Sequence, residues 1–216
     1  MCNLYEYEMT PEMMASIKRH FTLVGTAYLD ALRGRNSAVK VYPNREAPVI
    51  RRVDGEYRAE EMRWGFTPWK GNWLTNTRDP ALKTWRDWLG AEHRCLVPVR
   101  RFAEYDDNTP KGSKVLRWFE RPNGEPFFFA GLWRPWSGDR GTKAAPDVRD
   151  WRVFSFLTTE ANAVVAPIHK KAMPVMLTTA ADIEQWLGGS TEEALQLQKP
   201  ANDDALTLIP LDDEAA

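Results

Sequence analysis

The chain has 216 residues, 43% of them hydrophobic and 27% charged, with a formal net charge of −1. That length and balance fit one globular domain with a substantial core. They exclude a membrane span, since no apolar run is long enough, and give no support to a generic polyanion binder, which would need a positive surplus.

In chain order, Thr10 opens a first helix, with Pro11 at its first position and Met13, Met14, Ile17 and Phe21 as its apolar stripe. Strand-like runs follow at 38–42, 49–53 and 61–66. Asp79-Pro80 opens a second helix in which Leu82, Trp85 and Leu89 share a face and Gly90 ends it. Further strands are expected at 95–99, 114–120, 127–133 and 151–157. Short helices are expected at 160–166, 180–187 and 191–198, the second with Thr179 and Asp182 as a capping box. Residues 205–209 read as a last strand, and 138–147, rich in Gly, Pro and charge, as a mobile surface loop. Many short strands with few helices between them argue against a doubly wound sheet. The expected fold class is α+β: a single domain over 1–210, with a mainly antiparallel, barrel-like core, peripheral helices and a disordered acidic tail at 211–216.

Two cysteines are too few for a disulfide framework. Cys2, Cys95, His20, His93 and His169 show no CxxC or HxxxH spacing, so neither a metal site nor any cofactor is expected. Charges interrupt the stretch from Leu4 to Phe21, so no signal peptide is read there and a cytoplasmic monomer is expected. Arg51-Arg52, Arg94 and Arg100-Arg101 stand out as basic points, and ten tryptophans are mostly core candidates.

The position with the most chemistry is Cys2. Removal of Met1 would leave one residue carrying a free α-amine and a thiol, with ordinary pKa values of roughly 7.7–8.0 and about 8.5. Such a pair can form a Schiff base with an aldehyde and then close sulfur onto the same carbon as a thiazolidine. On position alone, a tolerated residue at a frayed end is the better reading.

Four segments occur with Cys2 in order: Met1-Cys2-Asn3; Arg63-Trp64-Gly65-Phe66-Thr67-Pro68-Trp69 with Asn76-Thr77-Arg78; Arg94-Cys95-Leu96-Val97-Pro98-Val99 running on to Glu104-Tyr105; and Thr158-Thr159-Glu160-Ala161-Asn162 running through Pro167-Ile168-His169 to Met173-Pro174. Together they resemble the SRAP family, the SOS-response-associated peptidase-like proteins that process abasic sites in DNA. The resemblance implies covalent capture of the ring-opened abasic aldehyde in single-stranded DNA through Cys2, protecting the site during the DNA damage response, with AP-lyase activity as a side reaction. It also implies roles for other positions. Asn76 orients the Cys2 amine or the sugar, Glu104 shuttles protons, and His169, whose ordinary pKa suits neutral pH, assists ring opening. Arg78 matches a DNA-contacting arginine, a phosphate clamp. Trp64, Pro68 and Trp69 match the segment that wedges against bases, with Trp64 the one expected to be buried and Trp69 a candidate for stacking. His20 and His93 match no motif and are expected to be exposed.

The chain departs from the family's usual pattern in places that touch DNA rather than chemistry. Asn3 and Leu4 replace Gly-Arg after the cysteine, Tyr105 replaces a tryptophan, and Lys170-Lys171-Ala172 lengthens the segment after His169. Lys171 is expected to stand in for an arginine as a point charge. Two other functions compete: an N-terminal-nucleophile cysteine peptidase, acting even on its own Met1, and a non-catalytic single-strand-binding module.

Overall fold

The computed structural model describes residues 2–8, 38–66, 68–69 and 72–211. The expected first helix, His20 and most of the acidic tail lie outside those residues. Fifteen strands are described, in chain order β1 Leu4–Tyr7, β2 Val39–Val41, β3 Glu46–Val53, β4 Glu56–Trp64, β5 Pro68–Trp69, β6 Asn72–Trp73, β7 Asn76–Thr77, β8 Arg94–Val99, β9 Arg101–Tyr105, β10 Leu116–Glu120, β11 Phe127–Asp139, β12 Val148–Thr159, β13 Met173–Pro174, β14 Met176–Leu177 and β15 Thr207–Leu208. Three short helices accompany them: α1 Lys83–Arg86, α2 Ala180–Gly188 and α3 Thr191–Leu195.

The strands β12, β4, β3, β8 and β11 pair in that order, and β11 pairs back onto β12, so five strands close a barrel. Closure leaves these strands no open edge. A second, antiparallel sheet runs β15-β10-β9-β1-β2. Its inner face meets the barrel through an aromatic cluster: Tyr5 lies 5.2 Å from Trp64 and 5.9 Å from Phe129, and Phe102 lies 5.9 Å from Phe129. Rings at these spacings meet edge to face, the arrangement the aromatic quadrupole favours.

One strand edge explains where the functional segment goes. β4 lies parallel to β12 only as far as Trp64, opposite Phe154, and β7 resumes the same parallel edge with Asn76 opposite Phe156. Between them the chain leaves the barrel at Gly65, whose φ of +107° suits glycine, and forms the β5–β6 ribbon. A Cβ at Gly65 would sit 2.7 Å from Trp73 Cβ, so the backbones approach closely there. Arg140, only 2% exposed, plugs the base of this excursion. It donates to the carbonyls of Gly65 and Phe66 and to Asn44 Oδ1, and its guanidinium sits 4.0 Å from the Trp73 ring centre. Burial pulls its pKa down to about 9, the cost of holding a cation on carbonyls and rings alone.

Several expectations need correcting. Residues 160–162 are irregular and 163–168 form turns, not a helix; the Asn162 side chain accepts from Val165 N at 3.1 Å and donates to Ala201 O, also at 3.1 Å. The second helix shrinks to the four residues of α1; Trp85 and Leu89 are buried but Leu82 is exposed. The helix at 191–198 ends at Leu195. The 138–147 segment is an exposed surface loop over 141–146, as expected, but Gly138 and Asp139 end β11 and Arg140 points inward. His93 is half-buried between Trp88 and Trp133. The basic points are internally neutralised: Arg94 is buried on the carbonyls of Leu89, Trp186 and Gly189, closing the end of α2, while Arg51 pairs with Glu60, Arg100 with Glu120 and Arg101 with the buried Glu6. The capping box of Thr179 and Asp182 is present in full.

Candidate active site

Strand β1 carries Cys2 just ahead of its first residue and lies between β2 and β9, with Leu4 opposite Ala103 and Tyr5 opposite Phe102. Cys2 is fully buried; its Sγ lies 3.4 Å from Leu4 O and 3.9 Å from Ala103 O. Burial, joined by the negative charge of Glu104, pushes the thiol well above its ordinary pKa. At rest it is a thiol, not a thiolate.

Asn76 reaches the same place from β7. Its Nδ2 donates to Cys2 O at 3.0 Å and to Thr75 Oγ1 at 3.3 Å, and Thr75 Oγ1 donates in turn to Asn3 Oδ1 at 3.3 Å. The Asn76 Oδ1 atom is buried and has no hydrogen-bond partner among the described residues. It is therefore an acceptor beside the residue that would carry the amine.

Glu104, near the end of β9, is 3% exposed, and burial pushes its pKa up to about 7. His169 brings Nε2 to 3.8 Å from Glu104 Oε2 and Nδ1 to 3.2 Å from Asp107 Oδ2. Its backbone is fixed in a turn, with the amide donating to Val165 O at 2.8 Å. Burial holds its pKa below the ordinary value, against the opposing pull of Asp107. A carboxyl pushed up and an imidazole pushed down thus face each other across 3.8 Å.

The SOS response associated peptidase (SRAP) family model matches residues 1–215. The chain belongs to the SRAP family. Among curated proteins no relative matches the chain. Solved structures share its fold. A Bordetella bronchiseptica protein aligns with a TM-score of 0.73 at 22% identity, covering 97% of this chain and 100% of that one. A Bacteroides thetaiotaomicron protein aligns with a TM-score of 0.69 at 20% identity, covering 96% and 93%. A phage-related protein from Bordetella bronchiseptica aligns with a TM-score of 0.68 at 18% identity, covering 97% and 94%. No helix among the described residues is long and apolar enough to cross a membrane.

Within this SRAP fold, Cys2, Asn76, Glu104 and His169 converge from four separate segments. Arg78 and Lys171 meet beside them: the Arg78 guanidinium donates to Lys171 O, and both side chains face solvent. Gln198 Nε2 holds Arg78 O at 2.9 Å. Pro68 and Trp69 form β5, and their side chains lie outside what the structure describes. Trp64 cannot contact a base. It is fully buried beneath the site, stacked 5.4 Å from Phe156, with Nε1 donating to Thr75 O at 2.8 Å. Through that bond it holds the strand that presents Asn76. Sequence reasoning missed Thr75 and Asp107: a threonine beside a motif and an aspartate in a charged loop carry no signal until the fold places them.

Proposed function

We propose that this chain captures the aldehyde of an abasic site in single-stranded DNA as a thiazolidine on Cys2, once Met1 has been hydrolysed away. The observation that carries the reading is the convergence on Cys2 of an asparagine, a high-pKa carboxyl and a low-pKa imidazole. The raised thiol pKa sets the order of events: an amine beside a protonated thiol attacks first. The α-amine adds to the C1′ carbonyl to give a carbinolamine, oriented by Asn76. The Glu104–His169 pair delivers a proton to the hydroxyl, which leaves as water, and an iminium remains. Its positive charge offsets Glu104 and lowers the thiol pKa. Sulfur then bonds to the iminium carbon, and the thiol proton returns to the pair. One water is released overall, and the pair ends as it began.

An iminium that loses its C2′ proton before sulfur closes would break the 3′ phosphate bond by β-elimination, giving the lyase side reaction. Arg78 and Lys171 supply the nearby positive charge for the phosphates. The peptidase reading shares Cys2 but calls for its amine to draw the proton from the thiol, and burial of Sγ holds that proton more tightly than usual.

The test is a denaturing gel of mature protein incubated with a single-stranded oligonucleotide bearing one abasic site. A heat-stable shifted band that requires the site and is lost in Cys2→Ala and in a Met1-retaining form is the expected result. A band that persists without reductant in Cys2→Ala, or no band at all, sinks the reading.

A further inference from the structure

His169 has two ring nitrogens, and each faces a different carboxyl group. Nε2 lies 3.8 Å from Glu104 Oε2 and Nδ1 lies 3.2 Å from Asp107 Oδ2. Asp107 is no bystander on a mobile loop. Its amide donates to Ile168 O at 2.8 Å, and the neighbouring Asn108 Nδ2 donates to Pro167 O at 2.7 Å. The 106–109 turn is itself tied: Asp106 Oδ1 accepts from Asn108 N at 2.8 Å, and Thr109 Oγ1 donates to Asp106 O at 2.7 Å. Lys114 Nζ sits 3.9 Å from Asp107 Oδ1 and donates to Asp106 O at 3.0 Å. Two bonds to the two residues before His169, and a lysine behind the carboxylate, hold Asp107 against the imidazole.

We infer that Asp107 is a positioning residue: it accepts a hydrogen bond from Nδ1–H of His169, fixes that tautomer, and turns the Nε2 lone pair toward Glu104. A neutral imidazole carries one N–H, and the nitrogen opposite the acceptor is left basic. With the proton on Nδ1, the only base the ring offers is the one facing Glu104, so a proton passes between that carboxyl and Nε2. With the other tautomer, Nε2–H would point at Glu104 and the exchange could not run in that direction.

The charge of Asp107 acts on both partners in the same sense. It raises the pKa of His169 and that of Glu104. The other charged groups around the ring are the N-terminal amine, whose positive charge lowers the pKa of both His169 and Glu104, Lys171, which also opposes Asp107 on His169, and Lys114 behind Asp107; the neutral Cys2 thiol lies beside Glu104. The inference rests on the proposed function only for why the tautomer matters; the tautomer itself is a property of the resting protein.

The experiment therefore has two readouts on the whole chain. Side-chain nitrogen NMR, with His169→Asn to assign the signal, gives the tautomer and titration midpoint of His169. Crosslinking rate against pH gives the consequence. Expected in wild type is the Nδ1–H form. Asp107→Asn, which keeps an acceptor but removes the charge, weakens proton binding at His169 about tenfold, one pKa unit, and moves the rate profile to lower pH; Asp107→Glu restores both. Asp107→Ala leaves the neutral ring without its Nδ1–H preference. An unchanged tautomer and midpoint in Asp107→Asn and Asp107→Ala overturn the inference, even if crosslinking falls. If wild type forms no crosslink, the proposed function fails while the NMR result still decides this point.

Discussion

Asn76 donates to the backbone carbonyl of Cys2 at 3.0 Å, a bond that joins residues 74 apart in sequence. It ties the chemistry at the first strand to the parallel edge of β12, and it leaves the Asn76 carbonyl oxygen facing the place where an amine would sit. Both substitutions that break the donor are informative. Asn76→Asp keeps an acceptor of the same shape and Asn76→Ala keeps nothing. Each is expected to slow crosslinking by at least about tenfold, some 1.4 kcal/mol in the barrier, and Asn76→Ala to cost about 1–3 kcal/mol of stability through the orphaned carbonyl. Single-turnover crosslinking beside thermal melts measures both; wild-type rates in either variant would remove Asn76 from the reaction.

Glu104 predicts a pH signature of stability. In the fold it keeps its proton up to about pH 7, against about 4.3 for an unfolded glutamate. The folded state therefore binds more protons across that window, and stability contributed by the protonated carboxyl is lost as pH rises through it. His169, with its lowered pKa, works the other way and loses stability as pH falls. Glu104→Gln should remove the first effect alone. On going from pH 5 to pH 8, the melting temperature of the variant should change more favourably than that of wild type; parallel curves would contradict the raised pKa.

Gly65 is where β4 leaves the barrel, and both its φ of +107° and the 2.7 Å approach of Trp73 Cβ exclude a side chain. Gly65→Ala is expected to cost more than about 2 kcal/mol, lowering the melting temperature by about 5 °C or more. Calorimetry decides it, and a neutral result would mean that the β5–β6 ribbon is not held as described.

Arg78 is exposed and pairs with a carbonyl rather than a carboxylate, so its charge is available to phosphate. Arg78→Ala should weaken binding to undamaged single strands and reduce the slope of log K against log salt by about one, without moving the His169 titration. An unaltered salt slope would place the phosphates elsewhere.

Much of the barrel could be read from the chain, because β3, β8 and β12 bury apolar residues in runs and β4 buries Tyr57, Ala59, Met62 and Trp64 in near alternation. The helices were harder. Residues 160–166 have helical composition, yet the single turns closed by Ala166 N on Asn162 O and by His169 N on Val165 O are not continued into a helix. α1 is shorter than expected: Leu82, expected on its apolar face, is exposed at its N-cap and supplies no side-chain capping bond. At the site, Cys2, Asn76, Glu104 and His169 were legible as chemical types in a familiar order. Trp64, matched to the segment that wedges against bases, is buried as expected of it and so is no DNA contact. Asp107 was invisible for a simpler reason: two adjacent aspartates in a polar loop look solvated until a histidine 62 positions later lands against one of them.

The burial of Cys2 has a consequence for selectivity. Chain ends ordinarily sample a volume, and a reactive group on such an end can search for its partner. Here β1 is zipped between two neighbours and Cys2 has no exposed surface, so the nucleophile has no reach. Whatever reacts must be carried in on a tether supple enough to bend into a fixed point. A sugar in an unpaired strand has that freedom, and one locked inside a stacked duplex does not. On the proposed function, discrimination between the two would come from the stillness of the protein and the slack of its substrate.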